Sequence, residues 1–74
     1  MDKKQELQSK FHLMASEYFK LLSDVHKVKS AGYKKMAKGK DASVEKTKEK
    51  VLRAKAADKK AVGEKLKLKI KKII

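Results

Sequence analysis

The chain has no cysteine, no proline, no tryptophan and no asparagine, and its one arginine is Arg53. Without cysteine, neither a disulfide nor a thiolate metal site can reinforce the core. Without proline, nothing interrupts long helices, because proline removes an amide donor and clashes with the preceding turn. No stretch approaches the roughly 18 consecutive apolar residues that a membrane-spanning helix needs. The opening Met1-Asp2-Lys3-Lys4-Gln5-Glu6 is not followed by the apolar run of a secretory leader. The expected compartment is therefore the cytoplasm, of a bacterial cell or, for a viral protein, of its host.

Motifs for chemistry are also missing. There is no HExxH, no CxxC and no glycine loop of the kind that cradles phosphate. His12 and His26 fall on one helix face but stand about 21 Å apart along its axis, too far to share a metal. Ser9, Ser16, Ser23, Ser30 and Ser43 have no evident base and orienting group around them. The expectation is a protein that is not an enzyme and carries no cofactor and no metal.

What is present is lysine, alanine, leucine and glutamate, the composition of long helices and coiled coils. Charged residues make up 42% of the 74 residues and the formal net charge is +13, so a polyanionic partner has to be considered. The length allows a single domain spanning residues 1–74, with only a modest core. The charge is divided along it. Up to His26, four lysines offset four acids; from Lys27 to Lys40 there are six lysines and no acid. A net positive charge then continues to the C-terminus.

Leu7, Phe11, Met14, Tyr18, Leu21, Val25 and Val28 are spaced alternately by four and three, an unbroken heptad seam. Asp2 and Gln5 read as a capping box. Gly32, preceded by Lys29, reads as a helix stop. These signals predict a first helix over 2–31. Leu22 and Ala15 flank the seam, and Leu13 and Phe19 lie further round, more apolar surface than one neighbouring helix would cover.

The segment 32–41 reads as a basic connection, with room for a short helical turn at 33–38 and with Asp41 as the cap of the next helix. That second helix is expected over 42–63. Its best apolar face joins Val44, Val51, Val62, Leu66 and Ile73, with Lys48, Lys55 and Asp58 intruding, Asp58 paired with Lys55. The tail 64–74 alternates lysine with leucine and isoleucine at strand period. A lone strand has no ladder partner, so a helical or frayed tail is favoured.

These elements predict an all-α fold: an antiparallel two-helix hairpin, coiled-coil-like, with a seam that also admits pairing of two hairpins as a homodimeric four-helix bundle. For function, the expected partner is nucleic acid, DNA or RNA, bound largely without regard to sequence. Lys27, Lys29, Lys34, Lys35, Lys38 and Lys40 surround Tyr33, and lysines release counterions from phosphates while a tyrosine stacks on unpaired bases. Lys46, Lys50, Arg53 and Lys60 extend the same chemistry along the second helix, followed by Lys67 and Lys71, with Glu49 and Glu64 interrupting. An alternative is an adaptor that docks an acidic partner protein through the first-helix seam and Phe19, the lysines steering the encounter. A third is a membrane-surface binder using the tail, with no integral span.

Overall fold

The computed structural model describes residues 2–73. They form two helices, α1 at Lys3–Ala37 and α2 at Ser43–Ile73, packed against each other as a hairpin. The expectations that touch Met1 and Ile74 lie outside the described residues. The molecule is a rod, 56 × 15 × 13 Å between Cα atoms. No helix among the described residues is long and apolar enough to cross a membrane.

The capping box starts α1. The Gln5 amide donates to Asp2 Oδ1 at 2.8 Å, and the Asp2 amide donates to Gln5 Oε1 at 3.4 Å. Two of the orphan donors at the helix start are thereby satisfied. The heptad seam then carries the packing. Leu7 and Val25 are buried, and Phe11, Met14, Tyr18, Leu21 and Val28 are half-buried.

The helix does not stop at Gly32. Four residues beyond Val28, Gly32 occupies the next seam position, is buried, and lies inside α1. A Cβ there would sit 3.4 Å from Glu45 Cβ and 3.9 Å from Ala42 Cβ. An added Cβ would just touch α2, so the close approach of the helices here excludes any side chain larger than alanine. The glycine's helix penalty of about 1 kcal/mol is outweighed by the contact and by the continuing backbone ladder. The segment 33–38 is accordingly the last turn of α1 and its cap, not a separate element.

Gly39 is the true stop, with φ +71°. The Lys40 amide donates to the Lys35 carbonyl at 2.8 Å, and the Gly39 amide donates to the Met36 carbonyl at 3.0 Å. That is a Schellman closure, which requires a left-handed residue where glycine sits. The connection shortens from the expected 32–41 to 38–42. Asp41 does act at the start of α2, but from one residue further out. Its Oδ1 accepts from the Ser43 amide and its Oδ2 from the Ser43 hydroxyl, both at 3.0 Å. Ala42 supplies the first helical carbonyl, accepting from the Lys46 amide.

The face of α2 that packs shares only Leu66 with the one expected, and Ile73 is exposed. Ala42, Glu45, Glu49, Leu52, Ala56, Lys59, Gly63, Leu66 and Ile70 alternate by three and four, and each is buried or half-buried. Val44, Val51 and Val62 are 58%, 49% and 44% exposed. The helix is rotated by about a quarter turn from the valine face. The reason is size. Ala42, Ala56 and Gly63 let the helix axes come close, and the valines would hold them apart. Glu45, Glu49 and Lys59 lay their stems along the seam and pair their charged ends at its edge. Lys48, Lys55 and Asp58 therefore stand in solvent, and no ion pair joins Lys55 to Asp58 among the described residues.

The register is antiparallel throughout. Gly32 meets Ala42 and Glu45, Glu17 pairs with Lys59 at 2.7 Å, and Phe11 Cε2 lies 4.0 Å from where a Cβ on Gly63 would be. The tail continues α2 to Ile73, the helical rather than the frayed of the two forms expected for 64–74, because Leu66 is buried and Ile70 half-buried over the N-terminal part of α1.

Candidate nucleic-acid interface

Folding redistributes the expected basic cluster. Lys35 falls on the seam three residues after Gly32 and forms an ion pair with Glu45. The Glu45 carboxyl is held below its ordinary value, first by the hydrogen bond from Lys35. The Asp41 carboxyl is likewise lowered, first by the Ser43 amide and then by the Ser43 hydroxyl. Both stay ionised at neutral pH and temper the positive charge at this end of the rod. The acid-free run read from the sequence thus acquires Glu45 from α2, a change only the fold could bring, beside Asp41, which follows the run directly in the chain.

Lys29 and Tyr33 lie on one flank of the hairpin. The Lys29 ammonium sits 5.8 Å from the Tyr33 ring centroid, within cation–π range, and Tyr33 is 57% exposed. Across a shallow groove from them stands Lys46 of α2, with Glu45 and Glu49 in the groove wall. Lys50, Arg53 and Lys60 follow Lys46 at intervals of four, three and seven, so all four share one face of α2. Arg53 is partly committed, its Nε and Nη2 both donating to Glu49 Oε1 at 3.2 and 2.9 Å. Lys60 lines a second groove on this flank, opposite Ala15 and Phe19, with Glu64 nearby. Phe19, Leu22, His26, Lys29 and Tyr33 are spaced by three and four and so form the matching face of α1.

The remaining expected residues lie elsewhere. Lys27 and Lys34 are exposed on the back of α1, around a shallow depression shared with Ser23 and Ser30. Lys38 and Lys40 are exposed at the turn. One flank therefore gathers Lys29, Tyr33, Lys46, Lys50, Arg53 and Lys60, and the other five residues do not join it. Phe19 belongs with this flank although the sequence pattern reserved it for a protein partner. Its signal was the spacing of 14 residues to Tyr33, two full heptads. In the tail, Leu66 and Ile70 are turned to α1, and Leu68 and Ile73 are exposed.

The fold and this flank define an all-α helical hairpin with a basic, aromatic-bearing side. No family model, no curated protein and no solved structure matches the chain.

Proposed function

We propose that the hairpin is a small nucleic-acid-binding accessory protein, a binding module without a catalytic site, that captures the phosphate backbone with little regard to sequence. One observation carries the reading: Phe19 and Tyr33, 66% and 57% exposed, stand on the same flank as Lys29, Lys46, Lys50, Arg53 and Lys60. Lysines along a rod follow a phosphate backbone and displace its counterions. Exposed rings among them offer stacking surfaces for unpaired bases. Weak sequence preference is expected from the side chains available. The only arginine is held by Glu49 and asparagine is absent, so the usual bidentate readers of guanine and adenine are scarce. A gel-shift series with single- and double-stranded DNA and RNA, at two salt concentrations, tests this. Binding that weakens with salt on several unrelated sequences supports it, and indifference to all four in dilute buffer defeats it.

A second reading draws on a different observation. Leu13, Val44, Val51 and Val62 are exposed on the other flank, with Lys48, Lys55 and Asp58 among the valines. The α1 seam itself is occupied by α2, so an acidic protein partner would dock on this mixed apolar and lysine-bearing flank or on Phe19. Nanomolar binding to an acidic protein, with only weak, length-independent binding to nucleic acid, would favour the adaptor.

A further inference from the structure

The back of α1 carries a pattern that the groove flank does not use. Ser16 and Lys20, Ser23 and Lys27, and Ser30 and Lys34 form three Ser-x-x-x-Lys pairs, repeated every seven residues. On a helix, partners four apart are neighbours and a seven-residue repeat returns to the same face, here about every 10.5 Å. All six side chains are exposed, and none takes part in an ion pair or side-chain hydrogen bond among the described residues. The acids of α1, Glu6, Glu17 and Asp24, are spaced by eleven and seven. They share one edge of the helix, and Glu17 is tied to Lys59 there. The Ser/Lys face itself carries no carboxylate, but Asp24, four residues after Lys20 and three before Lys27, borders it along that edge. Each pair offers one ammonium and one hydroxyl donor, two of the groups that hold phosphate oxygens without reading bases.

This face points away from α2, whereas Lys46, Lys50, Arg53 and Lys60 lie beside the groove between the helices. A single convex duplex resting on the groove flank leaves the back of α1 uncovered. We infer that the Ser/Lys ladder is a second phosphate-binding face, and that one hairpin bridges two nucleic-acid segments. The inference rests on the proposed nucleic-acid function. The occupant is the backbone of a second segment, because a linear polyanion is what complements three evenly spaced donor pairs whose lysines outnumber the one acid, Asp24, left unpaired at their border.

The test is a two-duplex capture assay with the full chain. One duplex is fixed to beads, a second of unrelated sequence carries a fluorophore, and single-duplex affinity is measured in parallel by anisotropy. The protein should carry the fluorescent duplex onto the beads. The variant Lys20→Gln/Lys27→Gln/Lys34→Gln, its helicity checked by circular dichroism, should keep single-duplex affinity within about threefold and lose about tenfold or more of the capture. Binding without capture by the unaltered protein overturns the inference and leaves the nucleic-acid reading standing. Capture that the variant retains in full, or binding and capture that fall by the same factor, also overturns it. The first would place bridging in a pair of hairpins, and the second would reduce it to net charge. Failure to bind even the fixed duplex defeats both readings.

Discussion

Gly32 of α1 lies directly against Glu45 of α2, at a separation where an added Cβ would just touch, 3.4 Å from Glu45 Cβ. The contact sets how closely the helices approach at the turn end of the rod, and it separates two glycines that look alike in sequence. Gly32→Ala should be tolerated and gain at most about 1 kcal/mol from helix propensity. Gly32→Leu should cost about 1–3 kcal/mol by forcing the helices apart. Gly39→Ala, at φ +71°, should cost about 1–2 kcal/mol. Urea denaturation followed by circular dichroism measures all three. Equal losses for the two alanine variants would mean that Gly32 is also a cap.

Packing on α2 offers a second contrast. Val25 is 2% exposed, whereas Val51 is 49% exposed. Val25→Ala should cost about 2 kcal/mol, from the lost burial and the space left behind. Val51→Ala should change stability by less than about 0.5 kcal/mol. If Val51 proved the more sensitive, α2 would present its valine face to α1 after all.

The features legible in the sequence were periodic and local. The α1 seam, the Asp2–Gln5 box and the antiparallel pairing of two helices all follow from spacing and cap chemistry within a few residues. Gly32 misled because a stop signal and a close-contact position use the same residue. The extension of the 4–3 spacing from Val28 to Gly32 and Lys35 was the clue that it belonged to the seam. The α2 face was obscured for a different reason. Apolar bulk pointed to Val44, Val51 and Val62, while the packing interface is built from alanine, glycine and charged side chains whose stems are buried. The same gap affects the binding surface. Tyr33 and its lysines could be read along the chain, but the union of Lys29 and Tyr33 with Lys46, and the neutralising role of Glu45, depend on which residues meet across the hairpin.

Acid should loosen the turn end of the rod. Glu45 and Asp41 have folded-state pKa values below their ordinary 4.5 and 3.8, through Lys35 and Ser43 respectively. Groups whose folded pKa is depressed contribute stability that is fully present above the unfolded value and lost as pH falls through the folded one. Stability should thus be flat around neutrality and decline below about pH 4.5. Thermal melts from pH 7 down to pH 3 check this, and Glu45→Gln combined with Asp41→Asn should make the acid limb shallower. An acid limb unchanged in that variant would assign the decline to other carboxylates.

Stacking by Tyr33 should distinguish single strands from duplexes. Tyr33→Ala should weaken single-strand binding by about 1–3 kcal/mol and leave duplex binding nearly unchanged, since only unpaired bases present a free face. Anisotropy titrations with matched single- and double-stranded oligonucleotides measure the difference. Equal losses on both would reduce Tyr33 to a support for Lys29.

The most direct test of the basic flank is the salt dependence of duplex binding, measured for the unaltered protein and for Lys46→Ala/Lys50→Ala/Lys60→Ala between about 50 and 200 mM salt. The plot of log affinity against log salt should be linear and steep for the unaltered chain, and its slope should fall by about 2.7 when three phosphate contacts are removed. Identical slopes for the two proteins, or no binding by either at the lowest salt, would contradict the assignment of that flank to the phosphate backbone.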